Sequence, residues 1–234
     1  MRPGGRIALR RRGPGQGGFT LIELLVSMVV MGIVTAMLVG IWIALTNSSA
    51  FAQSQDTAAS SASYALDRVS AELRDAQPPS ATSTTPFIFT QASPNVCDGY
   101  DCTFYSAYNN PLTSSNSGAT GVDELLPTSI WLDSSGNLWW VRDTNNDGSF
   151  DTGDKTILLA RNVVNTASGI NRPIFTYVFR SAGGTYSTGT SLTAATCPTL
   201  VAINIEIIVD TNLNGNGAMA PTYVDYVSTV CPQN

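Results

Sequence analysis

Histidine is absent from the 234 residues. That removes the commonest general base and one of the commonest metal ligands. No phosphate loop and no Gly-x-Ser-x-Gly elbow occurs, so no catalytic constellation can be assembled and an enzyme is not expected. Charge is also scarce: charged residues make up 12% of the chain, and the net charge is −5. Five of the 12 basic side chains (Arg2, Arg6, Arg10, Arg11 and Arg12) precede Gly17, which leaves 7 against 17 acidic ones in the rest. A domain at −10 does not look like a nucleic-acid binder, and no such partner is expected.

Charge is missing altogether from Leu24 to Leu45. As a helix this run is about 33 Å long, enough to cross a hydrocarbon core of about 30 Å. The arginine-rich flank ahead of it would stay in the cytoplasm. The apolar run is too long for an ordinary secretory signal, and its small residues, Gly17 and Gly18, precede it. Cleavage at Gly18 would therefore leave the apolar helix on the mature chain. One carboxylate, Glu23, stands at the front edge of the run. A charge in hydrocarbon costs about 2.5 kcal/mol or more, so such acids are usually paired and functional.

Gly18-Phe19-Thr20-Leu21-Ile22-Glu23 resembles the prepilin motif of type IV pilins and type II secretion pseudopilins. The resemblance implies cleavage between Gly18 and Phe19 by a prepilin peptidase, N-methylation of Phe19, and pairing of Glu23 with the amino terminus of a neighbouring subunit. Gly32 matches a frequent glycine of the family; Gly40 stands where many members have proline. Implied partners are other pilin or pseudopilin subunits, the peptidase, an inner-membrane assembly platform and, before assembly, membrane lipid. The implied location is the inner membrane with the head outside the cytoplasm, then a fibre.

Residues 1–18 thus read as a leader and 19–45 as the membrane and assembly half of a helix. From residue 46 to 77 the helix signals continue. Phe51, Ala58, Ala62, Ala65, Leu66, Val69, Leu73 and Ala76 recur at three- and four-residue steps, which makes one face. Pro78-Pro79 stops the helix. The expected fold is α+β, with this helix packed on an antiparallel sheet formed by residues 78–234. Strands are expected at Phe87–Gln91, Thr103–Tyr108, Thr128–Asp133, Asn137–Arg142, Thr156–Val164, Ile174–Arg180, Leu200–Val209 and Tyr223–Val230. Ser134-Ser135-Gly136 reads as a hairpin turn. Trp131, Trp139 and Trp140 are expected to pack rather than to bind sugar. Residues 109–121 and 181–196 read as surface loops, and Glu206 as a solvent-facing strand position. The strand pattern over roughly residues 130–210 looks like PilW-type minor pilins and J-type minor pseudopilins. A pilus-displayed adhesin using those loops is the alternative to a structural subunit; an anchored, calcium-stabilised domain is another.

Four cysteines, Cys97, Cys102, Cys197 and Cys231, lie beyond the apolar run. The expected pairs are Cys97–Cys102 and Cys197–Cys231, the longer loop contributing about 3 kcal/mol. A zinc site is the less favoured alternative.

One stretch has metal-binding chemistry. Asp143, Asn145, Asp147, Ser149, Asp151 and Asp154 fall at positions one, three, five, seven, nine and twelve of a calcium loop, with Gly148 at six. Ser149 would serve through its carbonyl. Asp154 replaces the usual glutamate, which implies weak affinity, about 10⁻⁴–10⁻³ M, as is usual outside cells. The alternative is a metal-free turn, since Asp, Asn and Gly also form turns. The stretch from Asp210 to Asn216 begins similarly but lacks later acids, and reads as a turn.

Overall fold

The structure is a computed structural model. It describes residues 19–79, 83, 85–88, 97–108, 125–145, 147–167, 169–211 and 223–231. The leader, residues 109–121 and most of the 210–216 stretch lie outside the described residues. The chain divides into two compact units, Met1–Ser49 and Ala50–Asn234. One helix, α1 (Leu21–Arg74), contributes to both.

In the first unit α1 is apolar all round. Eighteen large apolar side chains from Leu21 to Leu45 are exposed, for example Leu24 at 53% and Trp42 at 70%. Keeping them in water would forgo on the order of 30–50 kcal/mol of burial. Its few hydroxyls turn back onto the helix: Ser27 donates to the Glu23 carbonyl at 2.6 Å and Thr35 to the Met31 carbonyl at 2.8 Å. Such local bonds let polar side chains sit in an apolar medium. Among the described residues this is the one helix long and apolar enough to cross a membrane.

In the second unit α1 is amphipathic. Ala58, Ala62, Ala65, Val69 and Leu73 are buried and enter the core. The small alanines permit close approach of the helix to the sheets. The helix ends at Arg74, three residues before the expected Gln77. The chain then runs along the edge of β1 (Asp101–Ser106): Ala76 bridges Ser106, and the Gln77 N–H donates to the Tyr105 carbonyl at 3.1 Å. Residues 86–88 also pair with β1, through Phe87 and Phe104. The rest of the expected strand at 87–91 lies outside the described residues.

The expected α+β fold, a long helix packed on antiparallel β-structure, is present; among the described residues that structure forms two four-stranded sheets where one was expected. The first has the order β1, β2 (Leu126–Leu132), β3 (Leu138–Arg142), β4 (Lys155–Ala160). The second has the order β6 (Tyr186–Gly189), β5 (Phe175–Arg180), β7 (Leu200–Asp210), β8 (Tyr223–Val230). Residues 162–164, expected to prolong β4, instead join the sheets. Val163 bridges Val209, Val164 donates to the Ile208 carbonyl, and Asp210 donates to the Asn162 carbonyl. Buried Asn165 reinforces this seam, donating to the Arg172 and Glu206 carbonyls and accepting from the Ile208 N–H.

The Ser134-Ser135-Gly136 turn forms as expected. Asp133 organises it, accepting from the Ser135 and Asn137 N–H groups and from the Trp139 indole. Gly136 has φ +76°, and a Cβ there would stand 2.8 Å from the Val163 carbonyl oxygen, so only glycine fits. Trp140 is fully buried, while Trp131 and Trp139 stack at 6.4 Å between ring centroids. All three pack against protein.

Candidate functional site

Three places in the chain carry the chemistry singled out above. The first is the amino end of α1. Phe19 is 83% exposed and Glu23 lies in the first helical turn. Glu23 Oε2 accepts from the Thr20 N–H at 3.0 Å and from the Thr20 hydroxyl at 2.9 Å. In return the Glu23 N–H donates to the Thr20 hydroxyl oxygen at 3.3 Å. This is a reciprocal capping box, in which Thr20 and Glu23 satisfy helix-end donors. Among the described residues Glu23 thus has a hydrogen-bonding role and no counter-charge. Gly18, the other half of the expected cleavage site, lies outside the described residues.

The second is the loop from Asp143 to Asp154, which joins β3 to β4. Its acids bind the loop's own backbone. Asp143 Oδ2 accepts from Gly148 at 2.9 Å, and Asp147 Oδ1 from Ser149 at 2.8 Å. Asp151 Oδ1 accepts from Gly153 at 2.7 Å; Asp154 accepts from Thr144 and from Asp151. Asn145 donates to Asp147 at 2.9 Å. Gly148 has φ +82°, the backbone form its sixth position in the loop calls for. Among the described residues no three acidic or cysteine side chains converge closely enough to hold a metal ion.

The third is the cysteines. All four are free thiols, so neither expected disulfide is formed in the structure. Cys97 and Cys102 are nevertheless buried with their sulfurs 3.2 Å apart. Burial, with the neighbouring Cys97, pushes the Cys102 thiol well above its ordinary range. Cys197 instead contacts the Thr85 hydroxyl at 2.9 Å, while Cys231 is exposed.

Two charged sites escaped the sequence reading. Glu72, on the inner face of α1, is fully buried. It pairs with Arg68 at 2.7 Å and with Arg142 of β3 at 2.8 Å, and accepts from the Ser106 hydroxyl at 2.7 Å. Arg142 also donates to the Tyr108 carbonyl and the Thr128 hydroxyl. Both arginines lie over the Trp140 ring. Burial raises the Glu72 carboxyl despite the pull of Arg142, Ser106 and Arg68, and burial lowers Arg142. The (i, i+4) spacing of Arg68 and Glu72 was a legible hint; Arg142 was not. Glu206 is the other case and a correction. It is only 19% exposed, and pairs with Arg172 at 2.7 Å, because the seam residues bring Arg172 across β7.

Comparison with known families supports the amino-terminal reading. Residues 14–39 match the prokaryotic N-terminal methylation motif. No curated protein matches the chain.

Proposed function

We propose that the chain is a structural, non-enzymatic subunit of a type IV pilus-like fibre or type II secretion pseudopilus. The observation that carries this reading is the methylation motif at residues 14–39, set on a helix whose most apolar window is exposed among the described residues. Cleavage after Gly18 creates a cationic amine at Phe19. In a bundle of such helices, Glu23 of one subunit takes the Phe19 amine of another as its counter-charge. That pairing sets the axial register, and the apolar helix passes from lipid into the fibre core without meeting water. The leader stays cytoplasmic; the head lies outside.

A minor or priming role, of the kind PilW-type pilins and J-type pseudopilins have, fits the strand pattern. In the oxidising compartment outside the membrane, the Cys97 and Cys102 thiols lose two protons and two electrons to an external disulfide and join. Cys197 and Cys231 form the second bond.

The test is Glu23→Ala in cells that assemble the fibre. The variant is expected to be processed, to stay in the membrane, and to be missing from sheared fibres. Normal incorporation would refute the pairing.

A further inference from the structure

A single bare oxygen marks the β3–β4 loop as more than a turn. Asp143 is fully buried, and its N–H is fixed by the Pro127 carbonyl where β3 ends. Its Oδ2 faces into the loop, holding the Gly148 N–H. Its Oδ1, on the same carboxyl group, is buried with no hydrogen-bond partner. A carboxylate oxygen stripped of water and left unpaired is costly.

We propose that Oδ1 of Asp143 is the first ligand of a calcium ion held by the loop. Asn145, Asp147, the Ser149 carbonyl, Asp151 and Asp154 supply the remaining oxygens. Position and chemistry agree. The first acid of such a loop sits at a rigid strand end, the glycine at position six has positive φ, and every donor is a hard oxygen. Calcium accepts six to eight oxygens in flexible geometry, whereas magnesium needs a tight octahedron and keeps its waters. A zinc site would need softer ligands.

The hydrogen bonds already present do not block the ion. Each carboxylate oxygen has a second lone pair, so one that accepts an N–H can also coordinate. Asp147 and Asp151 are exposed and bonded to near neighbours within the loop, so they can move with it, while Asp154 already closes the loop onto Thr144. Binding therefore requires contraction of an exposed loop about a fixed first ligand, with no change in the sheet. It does not depend on fibre assembly, so the two proposals fail separately.

The experiment uses the full chain in detergent, stripped with chelator and titrated with calcium chloride. One saturable site with Kd about 10⁻⁴–10⁻³ M is expected. At about 10 mM calcium the melting temperature should rise by roughly 3 °C or more over chelator, with a smaller rise in magnesium. Asp143→Asn should abolish the calcium-dependent rise. Asp151→Asn, on the exposed side, should keep the melting temperature in chelator and weaken binding by about fivefold or more. It decides the matter if Asp143→Asn does not fold. Equal melting in calcium and chelator, or wild-type affinity in Asp151→Asn, would overturn the proposal.

Discussion

One helix shows two ways of handling apolar surface. Before Ser49, α1 presents leucine, isoleucine, valine and methionine in every direction, and its most apolar window is buried nowhere. After Ala50 it presents alanines at three- and four-residue steps, and those disappear into a core shared with both sheets. Hydrophobicity alone does not say where a residue is buried. The second stretch is buried in the core of its own unit, whereas the most apolar window of the first is exposed among the described residues. The two glutamates make the same point. Glu72 has two arginines and a serine from its own chain, whereas among the described residues Glu23 has only the threonine of its own cap.

Breaking that contrast begins with Glu72. Glu72→Ala leaves two arginines desolvated without their acid, which costs about 3–5 kcal/mol. Thermal denaturation of the full chain should show a large fall in melting temperature. Glu23→Ala should leave the melting of the head unchanged, because that carboxylate bonds to Thr20 of its own helix cap.

Overfilling the helix face comes next. Ala62 is fully buried, so Ala62→Leu should cost about 1–3 kcal/mol by denaturant unfolding. Gly32→Leu should cost the isolated protein nothing, since a Cβ there meets no atom within 4 Å. Its effect should appear only in fibre yield.

Acidity sharpens the contrast more gently. Asp101 is raised from 3.8 to about 6, chiefly by burial and then by the neighbouring Asp98. A carboxyl raised on folding adds stability that is complete below about pH 4 and disappears as the pH climbs through about 6. Asp101→Asn should therefore stabilise the head at pH 7 by about 1–2 kcal/mol, discounted for partial solvent exposure, with no gain at pH 4. Urea titrations at the two values check it.

The smallest effect is Gly40→Ala. The helix runs unbroken through Gly40, and nothing lies within 4 Å of an added Cβ. About 0.5–1 kcal/mol of helix stability should be gained, visible as higher helicity by circular dichroism in detergent.

What the sequence revealed follows the range of the interactions. The apolar run, the amphipathic face and the Ser134-Ser135-Gly136 hairpin turn depend on neighbours within a few residues, and all were legible. Strand β8 was placed at its observed limits. Strand β6 was missed because Tyr186-Ser187-Thr188-Gly189 lies at an exposed edge and offers no apolar alternation. Glu206 looked solvent-facing because alternation reports the face of a sheet and not what folds over it. Arg142 and Glu72 lie 70 residues apart, and no spacing rule joins them. At the amino end, Thr20 and Glu23 were read through a family resemblance, while the capping box that serves the single chain emerged only from the structure.

The central claim is that the chain is trimmed to expose an amine for Glu23. Intact mass spectrometry of the membrane-extracted protein, from cells with and without the prepilin peptidase, tests it most directly. With the peptidase, the expected product begins at Phe19 and is heavier by one methyl group; without it, the arginine-rich start remains. An unprocessed mass in both strains would contradict the account.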